Sequence, residues 1–174
     1  MQKRTALFRP VLCAAFALCA ASALAAPDAL RVYVSDPTGT PTNVRVAPAG
    51  AVAGTLAVGG DYLVTLAECK KGWCRASTIE TVEGEPVKLQ GASGARWLHS
   101  SVLAFSTRNY GGQKLTLREK PQEKAAPVHS FTDERELRPL DVRAGWVQVQ
   151  TLDKKHRGWL QTEWVCGNPV TTCP

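Results

Sequence analysis

The sequence predicts an all-β chain built as two tandem small barrels, and three observations carry the prediction. Beyond residue 25 no window holds a helical period of helical length; short alternating runs are punctuated by turn residues instead. A set of motifs recurs in the same order at a constant spacing. Four cysteines outside the N-terminal segment, Cys69, Cys74, Cys166 and Cys173, form an even set suited to a disulfide framework in small domains with modest cores.

The N-terminal segment is an address. Lys3, Arg4 and Arg9 precede the apolar run Val11–Ala21, and Ala23-Leu24-Ala25 is a small-x-small cleavage site. The run falls short of the ~20 residues that a membrane-spanning helix needs. Leu12 and Leu18, before Cys13 and Cys19, are too large for a lipoprotein acceptor site. A cleaved signal over 1–25 and a periplasmic or secreted location are therefore expected, with no stable membrane insertion after cleavage. The signal carries three of the positive charges, half of the formal net charge of +6. What remains is too small an excess for a nucleic-acid footprint.

The strands follow in order. Leu30, Val32 and Val34 alternate, and Asp36–Pro41 is a Pro- and Gly-punctuated loop. Thr42–Pro48, Gly54–Leu56 and Asp61–Leu66 are short strands, the last preceded by the turn Gly59-Gly60. Lys70-Lys71-Gly72 turns the chain into Trp73–Ala76. Ile79–Val82 and Val87–Gln90 flank Glu83-Gly84-Glu85-Pro86, which predicts a hairpin inserted over 78–90. Gly91–Gly94 is a second turn, Arg96–Leu98 starts a strand, and His99–Leu103 suits one tight helical turn.

The repeat sets the architecture. Val44-Arg45-x-x-Pro48 returns as Leu117-Arg118-x-x-Pro121, and Gly72-Trp73 as Gly145-Trp146, each 73 positions on. Leu30, Val32 and Val64 fall on Leu103, Phe105 and Leu137 at the same spacing. Beyond Trp73 the spacing drops to 62, so that Trp97-Leu98 matches Trp159-Leu160, and the insertion accounts for the difference. Two domains are expected, 26–107 and 108–174, joined near Arg108–Gly112. Cys69 and Cys74 fall on Val142 and Val147, which implies an inward or cross-strand pair. Four cysteines allow three pairings. The local ones, Cys69–Cys74 and Cys166–Cys173, are expected, the second tying down the tail. The spacings C-x4-C and C-x6-C match zinc knuckles poorly.

Asn43-Val44-Arg45-x-x-Pro48, Gly54-Thr55-Leu56, Gly60-Asp61, Gly72-Trp73 and Trp97-Leu98-His99-Ser100-Ser101-x-Leu103, taken in order, resemble the bacterial SH3-like (SH3b) family. The first copy departs where Ala95-Arg96 precedes Trp97; the second has Thr116 in place of the Asn and lacks the Gly-Asp turn. The resemblance covers nearly all of the chain after the signal. It implies small, partly open barrels that bind peptides, peptidoglycan or a partner protein.

The candidate ligand-binding residues are Trp73, Trp97, Tyr110, Trp146 and Trp159, aromatic surfaces with few torsions to freeze. Packing over a barrel wall is the competing role for the tryptophans, and Trp164 beside Cys166 is expected to cover the tail disulfide. His99, His129 and His156 lie in no metal-ligand motif, so neither metal nor cofactor is expected. Cys–His hydrolases of the cell wall often accompany this fold, but their chemistry needs a free, activated thiol. The carboxylates cluster on turns without forming a matched acid–base pair. The expectation is thus a non-catalytic envelope module that recognises peptidoglycan fragments or an exported protein. An inhibitor or accessory role toward a periplasmic enzyme is the alternative, and a small cell-wall hydrolase the remote one.

Overall fold

The computed structural model describes residues 29–89 and 94–173. The export signal over 1–25, residue 90 of the inserted hairpin and residues 91–93 of the turn after it lie outside the described residues. The strands are β1 (Leu30–Val34), β2 (Thr42–Arg45), β3 (Val52–Leu56), β4 (Tyr62–Lys70), β5 (Trp73–Thr81), β6 (Arg96–His99) and β7 (Leu103–Thr107). Then come β8 (Leu115–Arg118), β9 (Pro127–Phe131), β10 (Glu136–Arg143), β11 (Trp146–Thr151), β12 (Arg157–Gln161) and β13 (Val165–Cys166). Two 3-10 helical turns, Ser100–Val102 and Thr162–Trp164, lead into β7 and β13.

All the pairings are antiparallel and join the strands into one open sheet in the order β3-β2-β6-β5-β4-β1-β7-β10-β11-β12-β8-β9, with β13 also on β7. Read outward from its centre, the sheet repeats itself. The order β1-β4-β5-β6-β2-β3 on one side is the order β7-β10-β11-β12-β8-β9 on the other. The apolar repeat positions form the core: Val44, Leu117, Val64, Leu137 and Leu98 are fully buried, and Leu160 is nearly so. Alternation puts them inward because side chains one apart on a strand face opposite sides.

The turn glycines are also repeated. Lys71 (φ 51°) and Gly72 (φ 79°) sit consecutively in the left-handed region and close the β4–β5 hairpin with two residues, a turn whose twist matches its strands. Gly145 (φ 72°) holds the same place between β10 and β11. Behind these turns, Cys69 lies opposite Cys74 and Val142 opposite Val147. Both local disulfides form, Cys69–Cys74 and Cys166–Cys173.

Strand β7 belongs to both halves. Its Leu103 and Ala104 pair with Val34 and Tyr33 of β1, and its Phe105 and Ser106 pair with Leu137 and Glu136 of β10. Its Ser106 and Thr107 pair with Cys166 and Val165 of β13. Strand β13 therefore meets β7 as β7 meets β1, each strand entering from a 3-10 turn. The segment Arg108–Gly112 is accordingly no free linker. Asn109 is 1% exposed, accepts from Thr107 Oγ1 at 2.8 Å, and donates to the carbonyls of Thr132 (2.8 Å), Asp133 (3.2 Å) and Gln113 (3.2 Å).

The junction also explains why Tyr33 is buried on the side that alternation assigns outward. Its hydroxyl donates to Glu136 Oε2 at 3.1 Å and lies 3.1 Å from Ser106 Oγ. Burial, with the Glu136 carboxylate, pushes the phenol up to about 12. Arg138 donates to the carbonyls of Ser35 (2.7 Å) and Leu103 (2.9 Å), which ties β10 to the first half.

The inserted hairpin is smaller than the sequence pattern implies. Thr78–Thr81 are the end of β5, paired with Thr65–Tyr62 of β4, and among the described residues the return arm forms an isolated bridge, Glu80–Pro86, rather than a strand. The remainder folds down. Val82, Val87 and Leu89 pack against the core, and a Cβ at Gly54 would lie 3.2 Å from Leu89 Cβ.

Candidate functional site

Two small clefts occupy equivalent places in the two halves. The first, about 200 Å³, is lined by Asp36, Thr38, Thr40, Pro41, Asn43, Arg45, Trp73, His99 and Val102. The second, about 210 Å³, is lined by Lys114, Leu115, Thr116, Arg118, Trp146, Leu160, Gln161, Glu163 and Trp164. Pro41, Asn43, Arg45 and Trp73 fall on Lys114, Thr116, Arg118 and Trp146 at the 73-residue spacing. His99 and Val102 fall on Gln161 and Trp164 at the 62-residue spacing.

The fold places these residues by strand register. Trp73 lies opposite His99, and Arg75 opposite Trp97, while Cys74 and Leu98 between them point inward. Arg45 also lies opposite Trp97, so Arg45, Trp73, Arg75, Trp97 and His99 share the outward face. The His99 ring meets Trp73 edge-on at 5.0 Å between centroids, and the Arg45 guanidinium lies 5.8 Å from the Trp73 ring centre. Arg45 also donates to the Gly50 carbonyl at 2.7 Å, as Arg118 does to Ala125 at 3.0 Å. The repeated arginine thus braces its own loop while keeping its charge at the cleft.

His99 caps the 3-10 turn. Its Nδ1 accepts from the Ser101 backbone N–H at 3.3 Å and lies 2.7 Å from Ser101 Oγ. That acceptor role puts the proton of the neutral ring on Nε2. No carboxylate bonds to that nitrogen among the described residues, so the Ser101–His99 contact lacks the orienting third group of a nucleophilic triad. At the cleft mouth, burial raises the Asp36 carboxyl. Hydrogen bonds from Thr42 Oγ1 (2.7 Å), Thr38 N (3.0 Å) and Thr38 Oγ1 (2.8 Å) outweigh it and hold the group below the usual carboxylate range. The first cleft therefore combines an aromatic wall with a cation, an imidazole and an ionised carboxylate. The second replaces imidazole with the Gln161 amide and adds a second tryptophan.

The five aromatic candidates separate. Trp73 and Trp146 line the clefts. Trp97 is half-buried beside the first. Trp159 is 4% exposed, with the Arg143 guanidinium 4.9 Å from its ring centre, and offers a ligand no surface. Tyr110 is 41% exposed, but its hydroxyl accepts from Cys173 N at 3.0 Å, so it braces the tail. Trp164 is the reverse case: expected over the disulfide, it lines the second cleft.

One cluster was invisible in the sequence. His129 and His156 stack with centroids 3.7 Å apart and planes 7° apart, and Arg135 Nη1 lies 3.4 Å from His129 Nε2. Burial lowers the His129 pKa, and His156 and Arg135 add to the effect. Parallel rings cannot converge on one metal ion, and no group of three metal-ligating side chains occurs among the described residues.

The fold and its clefts define a disulfide-bonded all-β protein with a cleft repeated at equivalent places in its two halves. No family model matches the sequence, and no curated protein matches it. Among solved structures, NlpC1 from Trichomonas vaginalis aligns at 10% identity and TM-score 0.32, over 80% of this chain and 46% of that one. NlpC2 from the same organism aligns at 10% identity and TM-score 0.31, over 79% and 47%. The chain thus spans just under half the length of either. Similarity at this level assigns neither fold family nor activity.

Proposed function

We propose that this chain is a non-catalytic pair of SH3-like barrels that acts outside the cytoplasm and binds peptidoglycan fragments through the Trp73 and Trp146 clefts. The observation that carries the reading is the equivalence of the two clefts, built at the same repeat positions and each holding the repeated arginine and tryptophan. An aromatic wall beside a fixed arginine and a carboxylate suits short ligands bearing both sugars and charged peptide. Two disulfides support an oxidising compartment. They also occupy all four cysteines of the described residues, which leaves none of them as a free thiolate for Cys–His hydrolysis. No helix of the described residues is long and apolar enough to cross a membrane. The reading of 78–90 as a recognition hairpin for an exported partner is weaker, because its apolar side chains pack down on the core.

The test is retention on purified sacculi. Wild-type protein should pellet with the sacculi, and Trp73→Ala with Trp146→Ala should reduce retention about tenfold or more, as loss of an aromatic anchor does. Unchanged circular dichroism of the variant would separate lost binding from lost folding. Wild-type protein left wholly in the supernatant would refute the peptidoglycan reading and return attention to a protein partner.

A further inference from the structure

A cavity of about 650 Å³ belongs to neither aromatic cleft. It lies between the tip of the β4–β5 hairpin and the end of the β10–β11 hairpin, with Gln148 and Gln150 of β11 and Arg157 of β12, so each half supplies one wall. Its two carboxylates are already paired, Glu68 with Arg75 at 2.7 Å and Asp141 with Arg143 at 3.5 Å. Lys70 and Lys71 on one wall and Arg157 on the other enter no ion pair among the described residues. Arg157 Nη2 donates to Gln148 Oε1 at 2.6 Å, which fixes its direction. The cavity therefore carries uncompensated positive charge on opposing walls. Gln148 and Gln150 stand between them as amide partners.

The wall that bears the lysines is the rigid hairpin end. Lys71 and Gly72 form the tight left-handed turn, and Cys69–Cys74 crosses the strands directly behind it. The other half has the same turn position at Gly145, yet fills the cross-strand position with Val142 and Val147. Both hairpin ends line the cavity, Glu68–Gly72 from one and Asp141–Arg143 from the other, and the covalent tie is in the one that bears the two lysines. Core packing alone does not call for it, since valines serve at the equivalent place.

We infer that this cavity between the repeats is a binding site for an acidic peptide, with Lys70, Lys71 and Arg157 meeting its carboxylates, the glutamines meeting its backbone amides, and the Cys69–Cys74 disulfide holding the basic wall in place. The site is separate from the aromatic clefts and does not depend on their ligand. Opposed cations around a partly enclosed space attract an anion more strongly than the same charges spread over an open surface.

Fluorescein-labelled hexaglutamate titrated with the oxidised protein tests this by anisotropy. Binding should weaken steeply as salt rises. The double change Lys70→Glu and Lys71→Glu should weaken it about tenfold or more, by removing and reversing two contacts. The same charge change on exposed lysines outside the cavity, Lys120→Glu with Lys124→Glu, should leave it within about twofold. Trp73→Ala with Trp146→Ala should also leave it unchanged, which separates failure of this site from failure of the sacculus reading. Cys69→Val with Cys74→Val should weaken binding severalfold in a protein that remains folded. Equal loss in the Lys120/Lys124 variant, or no loss in the Lys70/Lys71 variant, would overturn the site. Equally tight binding of oligogalacturonate would overturn its assignment to a peptide.

Discussion

The two halves of this molecule share a strand order, a core and a cleft, and they differ at the ends of their hairpins. In the first half, β4–β5 ends in a disulfide and two lysines, and a long connection leads on to β6. In the second, β10–β11 ends in a valine pair, the connection is short, and the disulfide has moved to the tail. The comparison teaches that Gly-Trp at the turn is the structural constant. The cross-strand pair behind it accepts either sulfurs or methyl groups, provided they are small and face inward. The halves are nevertheless not independent, because β7 pairs with strands of both.

The sharpest way to break the comparison is to damage that shared strand. Phe105 is fully buried in β7, and Phe105→Ala should destabilise the protein by about 3–5 kcal/mol. Both halves should unfold in one transition, so probes in the first and second half should give coincident curves in denaturant. Separate midpoints would make the halves autonomous.

The next test transplants the second half's solution into the first. Cys69→Val with Cys74→Val should cost about 2 kcal/mol through the freed unfolded chain, with the strand content in circular dichroism intact. Collapse of the fold would show that the pairs are not equivalent.

A smaller effect is expected at Gly158, where a Cβ would lie 2.8 Å from Leu117 Cβ and 3.0 Å from the Arg118 carbonyl oxygen. Gly158→Ala should cost about 1–2 kcal/mol by forcing β12 away from β8. The equivalent residue of the first half is already Arg96, so Arg96→Ala should change stability by about 0.5 kcal/mol or less.

The smallest effect belongs to the stacked histidines, which the first half lacks. His129 is depressed below its ordinary 6.5 in the folded protein, so the unfolded chain takes up its proton first as pH falls. Stability should therefore decline as pH drops through 6.5 and level off below the folded pKa. His156→Gln removes one repelling neighbour, and its Tm should vary less between pH 7 and pH 5 than the wild type's. An unchanged pH profile would show that the stack does not set the shift.

Much of the fold was legible in the residues because alternation reports which side chains face inward. Val44, Leu117, Val64 and Leu137 were identifiable as one repeated set, and the valines at 142 and 147 correctly implied a cross-strand pair. Alternation does not report which strand lies alongside. The double use of β7, the burial of Tyr33 and the anchoring of Asn109 all arise from pairings between residues distant in sequence. The same limit explains the hairpin over 78–90. Ile79–Thr81 alternate whether they pair with β4 or with a local partner, and β4 wins because it already flanks β5. At the site, the repeat pointed to Trp73 and Trp146. It also held the signal for Arg45 and Arg118, which recur at the same spacing but read as motif residues of a strand. His99, Gln161 and Trp164 were harder, since they differ in type between the halves and converge only through β6, β12 and the 3-10 turns. Trp159 and Trp97 are a matched pair in sequence, yet Trp159 is buried, with Arg143 over its ring, while Trp97 is half-buried.

The most direct measurement is the stoichiometry of binding to soluble peptidoglycan fragments by titration calorimetry. Two equivalent clefts predict two sites per chain, one of them lost in Trp73→Ala, the other in Trp146→Ala, and both in the double variant. Full binding by the double variant, with its fold intact, would contradict the account.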